Sequence, residues 1–295
     1  MPAERGAVST PAERFLVLDC HGEQCMAVYS PPQDAASSRA DLGVVIVVGG
    51  PQYRVGSHRQ FVLLARNLAD SGIPVVRFDY RGMGDSDGEA RTFESIEDDV
   101  AAAVGALERE SGRSRIVLWG LCDGASAALM YAASDARIAG VVAVNPWART
   151  PQGEARTRLQ HYYIKRIASL EFWRKVFARG VDIKRGADDL LDAIKGVSSK
   201  PSSAADIRYL QRMHEGWRRF GGSVLFLLSG QDYTAREFES WIASDADLGN
   251  RLRMSRCEVQ RFEDADHTFS TLAWREAVSQ VTIRWVRNLG AASRH

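Results

Sequence analysis

Residues Arg115 to Leu129 read RIVLWGLCDGASAAL: an apolar, β-branched run, the five residues Gly120-Leu121-Cys122-Asp123-Gly124, then a stretch of small residues. The first part suits a buried strand, and Ala125 to Ala133 suits a helix packed closely behind it. Only a sharp turn fits between them. Glycines on both sides of Cys122 let neighbouring backbone approach, so the strand, turn and helix together lift one side chain, the thiol, above the sheet. The pattern predicts a strained elbow with Cys122 at its apex. A helix N-terminus directly behind the sulfur favours negative charge, so the thiol is expected to ionise more easily than a free one.

Working outward, similar runs recur at Arg14 to Asp19, Cys25 to Ser30, Gly43 to Val48, Pro74 to Tyr80, Ile138 to Asn145, Ser223 to Ser229 and Cys257 to Phe262. From Gly43 onward they are nearly continuous apolar segments, as in parallel strands covered on both faces. Helical patterns lie between them over His58 to Ser71, Phe93 to Arg109 and Thr234 to Ala243, with Ser57 placed to cap the first. Strand alternating with helix predicts an α/β fold, a mostly parallel twisted sheet with helices on both faces. The first two runs are joined by CHGEQC, too short for a crossover, and predict an antiparallel hairpin at a sheet edge.

The alternation is interrupted once. Residues 148–220 carry helical patterns and no convincing strand, which predicts an inserted helical cap in a core made of 1–147 and 221–295. From Pro151 to Phe220 there are 15 Lys and Arg against 8 Asp and Glu, a net of +7 in a chain whose total is +1. That basic surface is either a solvated face of the cap or a face turned toward an anionic substrate or surface.

Composition narrows the function classes. With 38 Lys and Arg against 37 Asp and Glu, the chain is not a nucleic-acid binder that works through bulk charge. No apolar run is long enough to span a bilayer, and the start MPAERGAVSTPAERF lacks an export signal, so a soluble cytoplasmic protein is expected. Four cysteines do not make a disulfide framework in a chain of this size. Neither a dinucleotide nor a P-loop glycine pattern is present, and Cys20, His21 and Cys25 lack a fourth ligand nearby, so neither metal nor cofactor is expected.

A nucleophile at Cys122 needs a base, and the base needs an orienting carboxylate. Asp232 follows SVLFLLSGQ and His267 lies in EDADHTF, both just past strand ends, where sites on parallel sheets form. Asp232 also suits the N-cap of the next helix, and Asp264 and Asp266 compete with it for the acid role, although they adjoin His267 and suit the shaping of its loop. Acyl attack also needs two donors for the oxyanion. The backbone N–H of Asp123 is one. The other is expected from Gly49-Gly50-Pro51-Gln52, where Pro51 has no N–H and Gln52 is the candidate, with Tyr53 next. Tyr53, Arg54 and His58 are candidate substrate contacts at the mouth.

These residues resemble a known family. Asp79-Tyr80-Arg81-Gly82-Met83-Gly84-Asp85-Ser86 is similar to the D-x-R-G-x-G-x-S turn of α/β-hydrolases, whose nucleophile, acid and base come in the chain order of Cys122, Asp232 and His267. GGPQYRVGSHRQF, FDYRGMGDSDG and LWGLCDGASAA together resemble the exosortase A system-associated hydrolase 1 group. The resemblance implies the α/β-hydrolase fold and a setting beside exopolysaccharide production and protein sorting in Gram-negative bacteria. The thiol departs from most α/β-hydrolases and is similar to dienelactone hydrolases. The activity expected is hydrolysis of an ester or thioester through an acyl-thioester on Cys122, the substrate being a small-molecule, lipid or glycan acyl compound, anionic where the basic surface of the cap is turned toward it. The alternatives are acyl transfer to an acceptor other than water, and a non-catalytic scaffold. The oligomeric state is left open.

Overall fold

The computed structural model describes residues 13–33, 41–50, 52–149 and 204–292. It divides into two compact units, 1–147 with 212–295, and 148–211. In the smaller unit the described residues place the backbone N–H of Arg149 on Tyr209 Oη at 2.6 Å. Most of the cap expected over 148–220 lies outside the described residues; within them, Ala204–Arg219 is a helix, α4.

The larger unit is built on one eight-stranded sheet. Its strands are β1 (Arg14–Cys20), β2 (Glu23–Ser30), β3 (Leu42–Val47), β4 (Val75–Phe78), β5 (Arg115–Leu121), β6 (Ile138–Val144), β7 (Ser223–Ser229) and β8 (Cys257–Phe262), in the order β1-β2-β4-β3-β5-β6-β7-β8. All eight runs read from the sequence are strands. β1 and β2 form the expected antiparallel hairpin, turning at His21 and Gly22, both with positive φ as a tight hairpin turn requires. β2 joins β4 antiparallel, and every pairing from β4 to β8 is parallel.

Burial explains the residue choice. β3 and β4 are buried at every position, whereas the edge strands β1 and β8 show exposed residues between the covered ones. Helices α1 (Gln60–Asp70) and α7 (Leu272–Ala292) contact each other and share a core with Val44, Ile46, Trp119 and Leu225, in which Phe61 meets Trp119 edge to face at 5.7 Å. Each such buried aromatic or aliphatic side chain contributes about 1.5–3 kcal/mol. Leu107 of α2 (Glu97–Ser111) lies over Gly43, and α2 contacts α3 (Asp123–Tyr131), which follows β5. Helices α5 (Tyr233–Ala243) and α6 (Ala246–Leu252) link β7 to β8. Ser57 is not the N-cap of α1. A short 3-10 turn over Ser57–Arg59 intervenes, and Arg59, at φ 60°, stands at the cap with no side-chain bond. Among the described residues no helix is long and apolar enough to cross a membrane.

Candidate active site

The C-terminal ends of β5, β7 and β8 carry the three residues on which the sequence reading converged. Cys122 stands between β5 and α3 with φ 59° and ψ −126°, a conformation that costs a non-glycine residue about 1–3 kcal/mol. Its surroundings hold it there. The Cys122 N–H donates to Val144 O at 2.9 Å, and the Cys122 carbonyl accepts from Ala125, Ser126 and Trp147 N–H at 3.0, 3.2 and 3.2 Å. The flanking glycines are there for room: a Cβ on Gly120 would lie 2.4 Å from Gly124 O, and one on Gly124 would lie 2.5 Å from Val47 O.

The thiol is less acidic than the sequence suggested. Burial, followed by the Asp123 carboxylate beside it, pushes Cys122 up to about 12 and outweighs the hydrogen bond from the Asp123 N–H. The helix end behind the sulfur therefore does not leave a resting thiolate.

Asp232 is the N-cap of α5. Its carboxylate accepts the Thr234 and Ala235 N–H groups at 3.1 and 3.2 Å and meets His267 Nδ1 at 2.8 Å. Helix cap and histidine partner, open as alternatives in the sequence, are the same carboxylate. For His267, burial lowers the pKa, but the hydrogen bond and charge of Asp232, with the charges of Asp123 and Asp266, outweigh it and leave the imidazole above its usual value. Asp266 is turned into its own loop, where it accepts from the Thr268 and Ser270 N–H groups at 3.2 and 3.0 Å.

Two further residues hold this arrangement and escaped the sequence reading. Asn145, at φ 43° past the end of β6, is fully buried. Its amide donates to Ser229 Oγ at 2.9 Å and to the His267 carbonyl at 3.0 Å, and its Oδ1 accepts the Ser229 N–H at 2.8 Å. Ser229 Oγ in turn donates to Asp266 O at 2.9 Å. The ends of β6 and β7 thus grip the backbone of the histidine loop.

The loop after β3 differs from expectation. Gly50, with φ 62°, donates its N–H to the Asp123 carboxylate, whereas Gln52 uses its side chain to accept the Ser57 N–H at 3.3 Å. The loop donor brought beside Asp123 is Gly50, on the near side of Pro51. Arg54 does not offer a free cation to a substrate: its guanidinium pairs with Asp79 and, at 2.6 Å, with Asp85, while its N–H donates to Asp79 Oδ1 at 2.6 Å. Asp79, wholly buried, also accepts the Asp85 N–H at 3.2 Å, so it ties the β4 turn to the β3 loop. Tyr53 and His58 are exposed, and His58 is close enough to Asp266 to help hold that carboxyl low against burial. Among the described residues no three His, Cys, Asp or Glu side chains are grouped to hold a metal ion.

Comparison with known proteins agrees with this architecture. The human protein ABHD12B is 32% identical over 104 residues, 35% of this chain and 28% of its own length, so the chain matches well under half of that relative. Among solved structures, the Pyrococcus furiosus esterase Pf2001 shares 15% identity at a TM-score of 0.63, covering 95% of this chain and 92% of its own. Est1E from Butyrivibrio proteoclasticus, solved with ferulic acid, shares 16% at 0.63 over 94% and 99%. The proline iminopeptidase of Mycobacterium smegmatis shares 14% at 0.62 over 95% and 100%. At these identities the structures speak for the fold alone. Residues 44–281 match the Alpha/beta hydrolase family, which takes in the sheet from β3 onward, the elbow and both partner loops, and the chain belongs to that family.

Proposed function

We propose that the protein hydrolyses carboxylic ester or thioester bonds, with Cys122 as nucleophile, His267 as general base and acid, and Asp232 as the carboxylate that orients His267. The observation that carries the reading is the strained elbow at Cys122 standing at the same end of the sheet as a 2.8 Å Asp232–His267 pair. With Nδ1 engaged by Asp232, the remaining ring nitrogen is the one left for proton transfer.

In this mechanism the imidazole takes the thiol proton as the sulfur bonds to the acyl carbon, and the carbonyl electron pair moves onto oxygen. The backbone N–H groups of Asp123 and Gly50 stabilise the oxyanion. Collapse re-forms the carbonyl, breaks the bond to the leaving group and passes the His267 proton to that group. Water then gives a proton to His267 while its oxygen adds to the thioester. The second collapse breaks the C–S bond, returns the proton to sulfur and releases the acid. A buried thiol at about 12 makes proton transfer to His267 part of the attack rather than a step before it.

From the resemblance of its motifs to the exosortase A system-associated group we further propose a setting beside exopolysaccharide production, and the insertion at 148–220 is the segment we assign to substrate choice. The test is an intact-mass time course of wild type and Cys122→Ala with short to long activated esters and thioesters. A transient acyl adduct on the wild type alone, followed by acid release, is the expected result. Capture of the acyl group by added amines or alcohols in preference to water would make the protein a transferase, and turnover by Cys122→Ala would overturn the role of the thiol.

A further inference from the structure

The donors assigned to the oxyanion already have an acceptor. The side-chain carboxylate of Asp123 folds back toward the first turn of its own helix, where Oδ1 accepts the Gly124 N–H at 3.1 Å and the carboxylate also accepts the N–H groups of Gly50 and of Asp123 itself. The β3 loop packs closely over it. A Cβ built on Gly49 would lie 2.2 Å from Oδ1, and one on Gly50 would lie 3.8 and 4.0 Å from the two oxygens. A carboxylate oxygen resembles the oxygen of a tetrahedral intermediate in size and negative charge, so it is a good occupant of a site built for an oxyanion.

We propose that Asp123 is an internal plug: in the free protein its carboxyl occupies the oxyanion site, and an incoming acyl group must turn it out. The inference rests on Cys122 being the nucleophile. One rotation of the Asp123 side chain then does two things. It frees the Gly50 and Asp123 N–H groups for the substrate oxygen, and it carries a negative charge away from the sulfur. The thiol is thereby kept unreactive toward adventitious electrophiles until an acyl group is in place.

The groups facing this carboxylate come from every neighbouring element. His267, from the β8–α7 loop, attracts it, while Tyr80 after β4 and Cys122 feel its charge, each raised first by burial and then by Asp123. Asp232 at the start of α5 adds a weaker negative charge on Cys122. Burial pushes the Asp123 carboxyl up, opposed by the three N–H bonds and by His267.

Two substitutions separate charge from occupancy. Asp123→Asn keeps an oxygen for the N–H groups and removes the charge; Asp123→Ala removes both. The experiment reads the rate at which iodoacetamide, a small neutral electrophile, alkylates Cys122 as pH is raised, located by mass. It also reads the acylation rate with a short-chain thioester. Both variants are expected to alkylate about tenfold faster than wild type just above neutral pH, the effect of lowering the thiol by about one unit. Asp123→Ala is expected to acylate faster than Asp123→Asn. Alkylation at the wild-type rate across the pH range in Asp123→Asn overturns the plug even if Asp123→Ala fails to fold. Slower acylation in Asp123→Ala at unchanged or faster alkylation also overturns it, by showing that the carboxyl assists the chemistry. A wild type that acylates on Cys122 with unaltered Asp123 variants loses the plug and keeps the mechanism. Absence of acylation on Cys122 overturns the mechanism and the plug with it, a shifted alkylation then recording only the charge of Asp123 beside the thiol.

Discussion

Cys25 and Cys122 differ by little in acidity and by much in setting. Both thiols are pushed up to about 12, first by burial and then by an aspartate alongside, Asp99 for one and Asp123 for the other. Cys25 lies at zero exposure in β2, and its S–H reaches Asp99 Oδ1 at 3.5 Å. That aspartate accepts the Arg81 N–H, Nε–H and Nη2–H at 2.9, 2.9 and 3.1 Å, so its charge is spent inside the sheet edge. Cys122 stands instead on a strained turn, at the same end of the sheet as an imidazole held from behind by a carboxylate. Acidity does not separate the two thiols; what singles out Cys122 in the proposed mechanism is the histidine at the same end of the sheet.

The comparison breaks most visibly on removing the thiols. Cys122→Ala is expected to lower turnover by about 10³-fold or more and to abolish the acyl adduct. Transfer of the adduct to Cys25 in that variant would erase the distinction. His267→Ala and Asp232→Asn are expected to lower kcat by about 10²- to 10⁴-fold. Asp232→Ala should also cost about 1 kcal/mol in unfolding experiments, because the α5 cap goes with it.

The pH dependence sharpens the same point. In the proposed mechanism His267 acts as base only when neutral, and its partners hold it above 6.5, so the acid limb of kcat/KM is expected above that value in wild type and at lower pH in Asp232→Asn, where burial is less opposed. The sign for stability is opposite to that for activity. The fold favours the protonated imidazole, so the stabilisation is complete below about 6.5 and is lost as pH rises through the higher folded value. Thermal melts of wild type and His267→Gln across that window should converge toward high pH.

Asn145→Ala is expected to cost about 1–3 kcal/mol, since it strands the buried Ser229 N–H and the His267 carbonyl. It should lower kcat less than any change to the triad. The smallest effect is expected from Cys25→Ala, with kcat/KM near wild type and only a modest fall in melting temperature. A large loss of activity there would mean that the sheet edge reaches the site.

What could be read in the linear order was what local physics dictates. Continuous apolar runs gave away β3 to β7, and Gly120-Leu121-Cys122-Asp123-Gly124 marked the elbow because two glycines are needed where backbones come within 2.4–2.5 Å of a missing Cβ. Asp232 and His267 stood out because both follow strand ends. What the sequence left out shares a cause: each feature depends on atoms brought from elsewhere in the chain. Counting donors past Pro51 led to Gln52, although the left-handed backbone at Gly50 turns the earlier N–H toward Asp123. Arg54, a candidate substrate contact in the sequence, meets Asp79 and Asp85 from the β4 turn in the structure. The helix end behind Cys122 is a local favour, overruled by burial and by the charge of Asp123. Asn145 looks like the polar end of an apolar strand, and nothing adjacent in sequence announces that it holds a loop 122 residues away.

That hold has a consequence for how the site recovers from disturbance. Asp232 grips the ring of His267, whereas Asn145 grips its backbone, so the two restraints fail independently. A proton transfer or a passing water can open the ring contact while the loop stays docked, and the imidazole then needs only a side-chain rotation, a matter of picoseconds to nanoseconds where it is unhindered, to return. In the proposed mechanism the histidine resets between turnovers rather than being rebuilt.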